Sequence, residues 1–304
     1  MSTHSLPGTR STTGANAAGL RQDEVRERVL MFGLSVPAIL LVVVIIGIPV
    51  GGLFWLSLFN DEGVLSTSNY TRMIEHKSYY RIFRTTFNVS FLTTIICVAI
   101  GYPFAYFLAQ LPQRWANIGL IAVLLPFWTS LLVRTYAWLV ILQRKGLINQ
   151  WGIELGLWDT PLRLVHNLNG TLIGMAHIML PFLLLPLYGS MRTIDQNYIK
   201  AASNLGASPF HAFWSIYFPL SLPGLFAGIV VVFVLCLGFF VTPAVLGGGR
   251  IIMVSMKIET IIDLFYNFGT ASALGVVLLA LTLLVLFISH KLLRLDRVLG
   301  GTGT

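Results

Sequence analysis

Apolar residues along this chain gather into long runs, not into the single stripe of a helix that packs one face on a core. A membrane span needs about 20 mainly apolar residues, with a range of about 17–25. Six runs meet that length: Met31–Phe59, Thr85–Ala109, Ile118–Leu142, Leu172–Tyr188, Leu222–Leu246 and Ala271–Leu293. The pattern predicts an all-α membrane protein of about six transmembrane helices. Pro37, Pro49, Pro126, Pro181, Pro186 and Pro243 fall inside the runs. Spans tolerate them because neighbouring helices re-satisfy the freed backbone groups. Polar residues are confined between the runs, so a single membrane domain is expected over 29–295, with no separate soluble domain. The segment 1–28, small and polar and then charged, reads as a disordered tail, and 296–304 as a second short tail. A cleaved signal peptide is not expected, because both the tail and the first apolar run are too long for one.

Composition supports the bilayer as solvent. Of 304 residues, 56% are hydrophobic and 11% charged, against about 25% charged in a soluble domain. The formal net charge is +8. Its carriers lie thinly between apolar runs, as interface anchors facing anionic lipid do, so nucleic acid is not an expected partner. Cys97 and Cys236 both fall inside runs, without metal-ligand spacing, and read as small hydrophobes.

Charge leaves orientation open. An even number of spans puts both termini on one side. Lys and Arg then divide ten against nine between the two sides, with Arg134 inside a span, which decides nothing under the positive-inside rule.

The segment 191–221, MRTIDQNYIKAASNLGASPFHAFWSIYFPLS, is too polar to span and too helix-prone to be a turn. Asn197–Leu205 reads as a short helix, Gly206 interrupts it, and Ser208 then offers an N-cap with Pro209 at the first helical position. Phe210, Phe213, Trp214 and Tyr217 follow at helical spacing. The expected shape is helix, glycine bend, helix, with small residues Ala201 and Ala202 exposed for close approach. By itself the pattern also fits an amphipathic helix lying at the headgroups.

These residues resemble the cytoplasmic coupling motif of binding-protein-dependent ABC importer permeases: Glu-Ala-Ala, three residues, Gly, nine residues, then Ile, any residue, Leu, Pro. Here Lys200, Ala201, Ala202, Gly206, Ile216, Phe218 and Pro219 stand at those offsets. Lys200 replaces the usual acid and Phe218 the usual Leu. LPFWTSLLVRTYAW (Leu125–Trp138), DTPLRL (Asp159–Leu164), LLPLYGSMRTID (Leu184–Asp195) and FFVTPAVLGGGR (Phe239–Arg250) are similar to the spermidine/putrescine branch. The resemblance covers roughly 30–295. It implies a type I ABC importer permease fold with a cytoplasmic coupling helix, in a bacterial plasma (inner) membrane, with both termini cytoplasmic. It implies as partners ATP-binding subunits that consume ATP and Mg, a second permease (a paralogue in this branch) and an extracytoplasmic solute-binding protein. The implied function is the path for a small solute, a polyamine or a relative. Coupling to the ATPase would fall to Lys200, Ala201, Ala202, Asn204, Gly206, Ser208, Ile216 and Pro219.

The chain carries no Gly-x4-Gly-Lys-Ser/Thr pattern. Gly247-Gly248-Gly249-Arg250 lacks the Lys-Ser/Thr pair and reads as a turn. With no nucleophile–base pair and no His/Cys cluster, the chain is not expected to be an enzyme or to bind a cofactor or metal. A polyamine path would want carboxylates and aromatic faces. Trp128, Tyr136, Trp138, Tyr188 and Phe240 are candidates, as are Glu259 and Asp263, four apart and so on one face of any helix there. That acidic pair would equally suit a solvated face docking the binding protein. Arg134 is a functional candidate by depth. A structural role ranks ahead of it, because an arginine lining the path would repel a cationic solute. The rival reading is an ion-coupled secondary transporter, which would usually show mid-span carboxylates and internal repeats. Neither stands out.

Overall fold

The computed structural model describes the backbone of residues 13–60 and 63–299, and the side chains of residue 33 and of residues 35–60 and 63–291. Among the described residues it is helical, without a named strand. The chain divides into two units, 1–55 and 56–304.

The first unit is nearly all of α1 (Thr13–Ser57), whose span Ser35–Ser57 is apolar throughout. Its large side chains stand bare: Ile39, Leu40, Val43, Ile45 and Ile48 are all more than half exposed. An all-round apolar surface of this kind suits lipid or another membrane helix, not water. The tail expected over 1–28 is already helical from Thr13; residues 17–28 are rich in strong helix formers such as Ala, Leu, Arg and Glu. Residues 1–12 lie outside the described residues.

The second unit is built around α3 (Lys77–Gln110), α7 (Leu168–Arg192) and α10 (Phe218–Leu237). These three pack on one another most extensively of all the elements. Glycines set the spacing. A Cβ on Gly228 would stand 3.0 Å from the Leu183 carbonyl oxygen, and one on Gly224 2.8 Å from the Pro186 oxygen. A Cβ on Gly101 would stand 2.7 Å from Leu183 Cδ2. Small residues thus let the backbones of α10 and α3 close on α7, the usual device where lipid supplies no hydrophobic drive between helices. One core cluster gathers Val89, Cys97, Met175, Met179, Leu183, Val232 and Cys236; a second gathers Ala105, Leu108, Leu184, Leu187, Met191 and Tyr217.

Two of the expected spans are broken. The run Ile118–Leu142 becomes α4 (Gln113–Leu124), a 3₁₀ turn at Leu125–Trp128, and α5 (Leu131–Leu142). The stretches on either side of the break, Gln113–Trp128 and Leu131–Glu154, meet at 99°. Pro126 cannot donate to the preceding turn, Thr129 and Ser130 turn extended, and the Thr129 hydroxyl donates to the Pro126 carbonyl at 2.7 Å. The run Leu222–Leu246 stops at Leu237 and restarts as α11 (Val241–Gly247). Pro243 cannot donate to the Phe239 carbonyl, and the Ser255 hydroxyl does so instead at 2.8 Å. Among the described residues, with the bent pair counted as one, six segments are long and apolar enough to cross a membrane.

Three short helices complete the outer parts: α2 (Ser68–Glu75), α6 (Leu147–Glu154) and α12 (Val254–Phe265). The last helix, α13 (Phe268–Leu299), runs into the expected 296–304 tail as far as Leu299; residues 300–304 lie outside the described residues.

Candidate functional site

The segment after α7 is built by local capping. The Asp195 carboxylate accepts from Asn197 N at 2.9 Å and starts α8 (Gln196–Asn204). At its other end Gly206 N bonds the Ser203 carbonyl and Ala207 N the Ala202 carbonyl, both at 3.0 Å. This pair of bonds is the Schellman arrangement, which requires the left-handed backbone that Gly206 adopts at φ +84°. The Ser208 hydroxyl then accepts from His211 N at 3.3 Å, with Pro209 opening α9 (Pro209–Ala212).

A π-helical turn, Phe213–Tyr217, joins α9 to α10. It splits the expected aromatic stripe into two faces. Phe210 and Trp214 point outward, 75% and 50% exposed. Phe213 and Tyr217 turn inward and stack at 6.0 Å, and Tyr106 of α3 meets both edge-on at 5.4 and 5.0 Å. One turn earlier on α3, the Tyr102 hydroxyl lies 2.9 Å from Ser221 Oγ. Because Ser221 donates to the Phe218 carbonyl, Tyr102 is the donor of that pair.

The other arm of the loop is tied by Arg192. Its guanidinium donates to the carbonyls of Ala109 (3.0 Å) and Leu111 (3.3 Å) and to Gln113 Oε1 (2.9 Å). It thereby caps the last turn of α3 and holds the start of α4 against the end of α7. Both arms of the α8–α9 hairpin are thus fastened to the same end of α3.

On the outward face lie Lys200, Ala201, Asn204, Gly206, Ser208 and Pro219, with Ile216 half-buried. Lys200 makes no ion pair among the described residues. Ala202, expected to be exposed beside Ala201, is buried. It provides the carbonyl of the Schellman bond and so faces the body of the loop. The outward face also carries large apolar groups that spacing did not single out, Leu205 at 89% and Tyr198 at 59% exposed. Among the described residues this is an exposed loop with an uncovered apolar crown.

The residues expected along a solute path do not share one chamber. Trp128 and Tyr136 stand exposed on the broken third span. Arg134 and Trp138 are half-buried there. The Arg134 guanidinium lies 5.5 Å above the Phe127 ring and its Nε finds no partner; Trp138 meets the His177 ring of α7 edge-on at 5.5 Å. His177 and Phe127 were not among the expected residues. Trp138 and His177 also line an apolar cavity of about 270 Å³ between α3, α5 and α7. Tyr188 belongs elsewhere: it is 8% exposed and lies in the core cluster of Leu108 and Leu187, towards the Arg192 end of α7. Phe240 is half-buried just before α11, and Glu259 and Asp263 stand exposed together on α12. No group of three or more His, Cys, Asp or Glu side chains that could hold a metal ion occurs among the described residues.

Apolar helices long enough to cross a membrane, with a capped helical hairpin between two of them, fit an integral-membrane permease. The chain belongs to the family described as binding-protein-dependent transport system inner membrane component, which matches residues 12–296. It is similar to the spermidine/putrescine transport system permease protein PotB of Haemophilus influenzae, 34% identical over 233 residues, covering 76% of this chain and 81% of that protein. PotB of Escherichia coli K12 is 33% identical over 234 residues, covering 76% and 85%. In fold it resembles a chain of the solved bacterial alginate ABC transporter, with a TM-score of 0.70, 15% identity, and coverage of 93% and 99%. The chain is therefore a permease subunit of an ABC importer in the inner membrane, with an all-α fold.

Proposed function

We propose that this permease carries a polyamine across the inner membrane, and that the α8–α9 hairpin faces the cytoplasm and receives force from an ATPase subunit. The hairpin supports the second part. It is rigid, capped at both ends, crowned with exposed apolar side chains, and fastened by Arg192 and by the Tyr102–Tyr106–Phe213–Tyr217 cluster to the end of α3. A lever must have these properties to pass a push into the membrane without absorbing it. ATP and Mg are used by the partner subunits, since this chain has no phosphate-binding loop pattern. Lys200, Ala201, Asn204, Gly206 and Ser208 form the contact surface, with Ile216 and Pro219 at the entry to α10 and Ala202 shaping the surface from beneath. This orientation puts both termini in the cytoplasm. A second, paralogous permease covers the bare span of α1 and the outward faces of α5. A binding protein on the other side supplies the solute.

The polyamine reading is supported by the names of the PotB relatives. Its test is uptake of labelled spermidine and putrescine into proteoliposomes holding the assembled transporter, its binding protein and internal ATP. Saturable, ATP-dependent uptake is the expected outcome. A transporter that hydrolyses ATP on binding-protein addition but accumulates neither amine would overturn the solute assignment and leave the importer intact.

A further inference from the structure

At the end of α7 opposite the coupling hairpin, the chain gathers cations it does not neutralise. An open pocket of about 440 Å³ is lined by Arg144, just after α5, Arg163 and His166, in the loop before α7, and Arg250, in the turn after α11. All four are exposed. None of the three guanidinium groups makes a hydrogen bond or ion pair with another described residue, and no acidic side chain lines the pocket. Guanidinium stays charged in proteins, so three like charges meet here uncompensated. Like charges brought together without a counter-charge raise the energy of the free protein, so the arrangement needs an anion from outside.

The backbone beneath is fixed. Asn149 Nδ2 donates to the carbonyls of Gln143 and Leu162, each at 3.0 Å, and its Oδ1 accepts from Leu162 N at 2.8 Å. That clamp joins the segment bearing Arg144 to the segment bearing Arg163. The turn bearing Arg250 is seated just as closely: a Cβ on Gly248 (φ +55°) would collide with the His166 ring, itself held at φ +59°. Three segments distant in sequence are therefore locked so that their arginines share one pocket.

We propose that this pocket is a docking socket for acidic side chains of the extracytoplasmic binding protein. The proposal rests on the orientation argued above, which puts this end outside the cell. Arginine forks match carboxylates bidentately, and exposed charges around a docking surface steer encounter and fix register. A polyamine is excluded as the occupant because it carries the same sign of charge.

The test uses the complete transporter in nanodiscs of neutral phosphatidylcholine and reads ATPase rate against binding-protein concentration. The triple substitution Arg144→Gln, Arg163→Gln and Arg250→Gln is expected to raise the half-saturating concentration about tenfold or more while the rate at saturation is kept. Raising salt from about 50 to about 300 mM should weaken the unmodified transporter and barely affect the triple variant. The triple Arg→Lys variant should recover part of the loss. A half-saturating concentration within twofold of the unmodified value would overturn the proposal. So would a defect seen only in discs containing anionic phosphatidylglycerol, which would make the socket a lipid headgroup site. Should the triple variant fail to assemble, Arg250→Gln alone and the salt titration of the unmodified transporter decide the question in the same way. An unmodified transporter that no binding protein stimulates would instead overturn the importer orientation itself.

Discussion

The two ends of α7 are built from opposite materials. At the Arg192 end, several polar groups are spent on internal bonds: the Asp195 and Ser208 caps, the Schellman pair around Gly206, and the three bonds of Arg192. The large groups left outward there are mostly apolar, Leu205, Phe210, Trp214 and Tyr198, with Lys200 and Asn204 beside them. At the Leu168 end the backbone is clamped by Asn149, but the charged tips of Arg144, Arg163 and Arg250 are left free. An apolar crown on a rigid hairpin suits a permanent, close-packed joint, because buried apolar area holds whether or not salt is present. Free charge on a fixed rim suits a partner that comes and goes, since charge acts on encounter and is screened by salt. The difference is what the proposed lever at one end and the proposed docking socket at the other would need.

Substitutions at the lever should separate hydrolysis from transport. Gly206→Val asks a β-branched residue to hold φ +84°, a cost of at least about 1–2 kcal/mol. Uptake should fall tenfold or more while the chain still inserts, as read by labelled-solute uptake beside membrane yield. Arg192→Gln removes the charge-assisted cap on α3. Partly exposed bonds of this kind contribute about 1 kcal/mol together after solvent screening. Solute moved per ATP should drop several-fold, with ATPase activity kept. Gly228→Ala adds a methyl 3.0 Å from the Leu183 carbonyl and should lower the thermal stability of the purified subunit by about 1–3 kcal/mol, without selective loss of coupling. Asn149→Ala should cost about 1–2 kcal/mol locally and weaken the response to binding protein, leaving solute moved per ATP unchanged. The smallest effect belongs to Ser208→Ala, about 1 kcal/mol or less of cap energy at an exposed site, read as a slight loss of coupling. Loss of coupling in Asn149→Ala, or its preservation in Gly206→Val, would erase the distinction between the two ends.

Hydropathy made the membrane segments legible, because a bilayer demands long apolar runs wherever the backbone crosses it. The breaks at Thr129–Ser130 and after Leu237 were not, since Pro126 and Pro243 read the same in a continuous span as at an interruption. What decides is whether another group meets the orphaned carbonyl, and Ser255 does that for Phe239 from sixteen residues away. Spacing gave the hairpin almost whole, from the Gly206 bend to the Ser208 cap, because both signals are local. It missed the burial of Ala202, which follows from its place in the Schellman turn, one residue from exposed Ala201. Nothing local marks Arg192, because the carbonyls it caps, Ala109 and Leu111, lie more than eighty residues away in sequence. Arg144, Arg163 and Arg250 are far apart in sequence, so no local spacing joins them. The expected path residues scattered because hydropathy and residue type say nothing of which helix faces which; among them Trp138 lines a cavity between α3, α5 and α7.

The central claim is that the α8–α9 hairpin bears on an ATPase subunit in the cytoplasm, and Leu205, 89% exposed at its tip, is the place to ask. The native thiols, Cys97 and Cys236, are both buried, so a Leu205→Cys variant carries one reactive site among the described residues. In right-side-out membrane vesicles that cysteine should resist an impermeant maleimide. In the purified transporter it should cross-link to the ATPase subunit. Labelling from the outside, with no cross-link to the ATPase, would contradict the account.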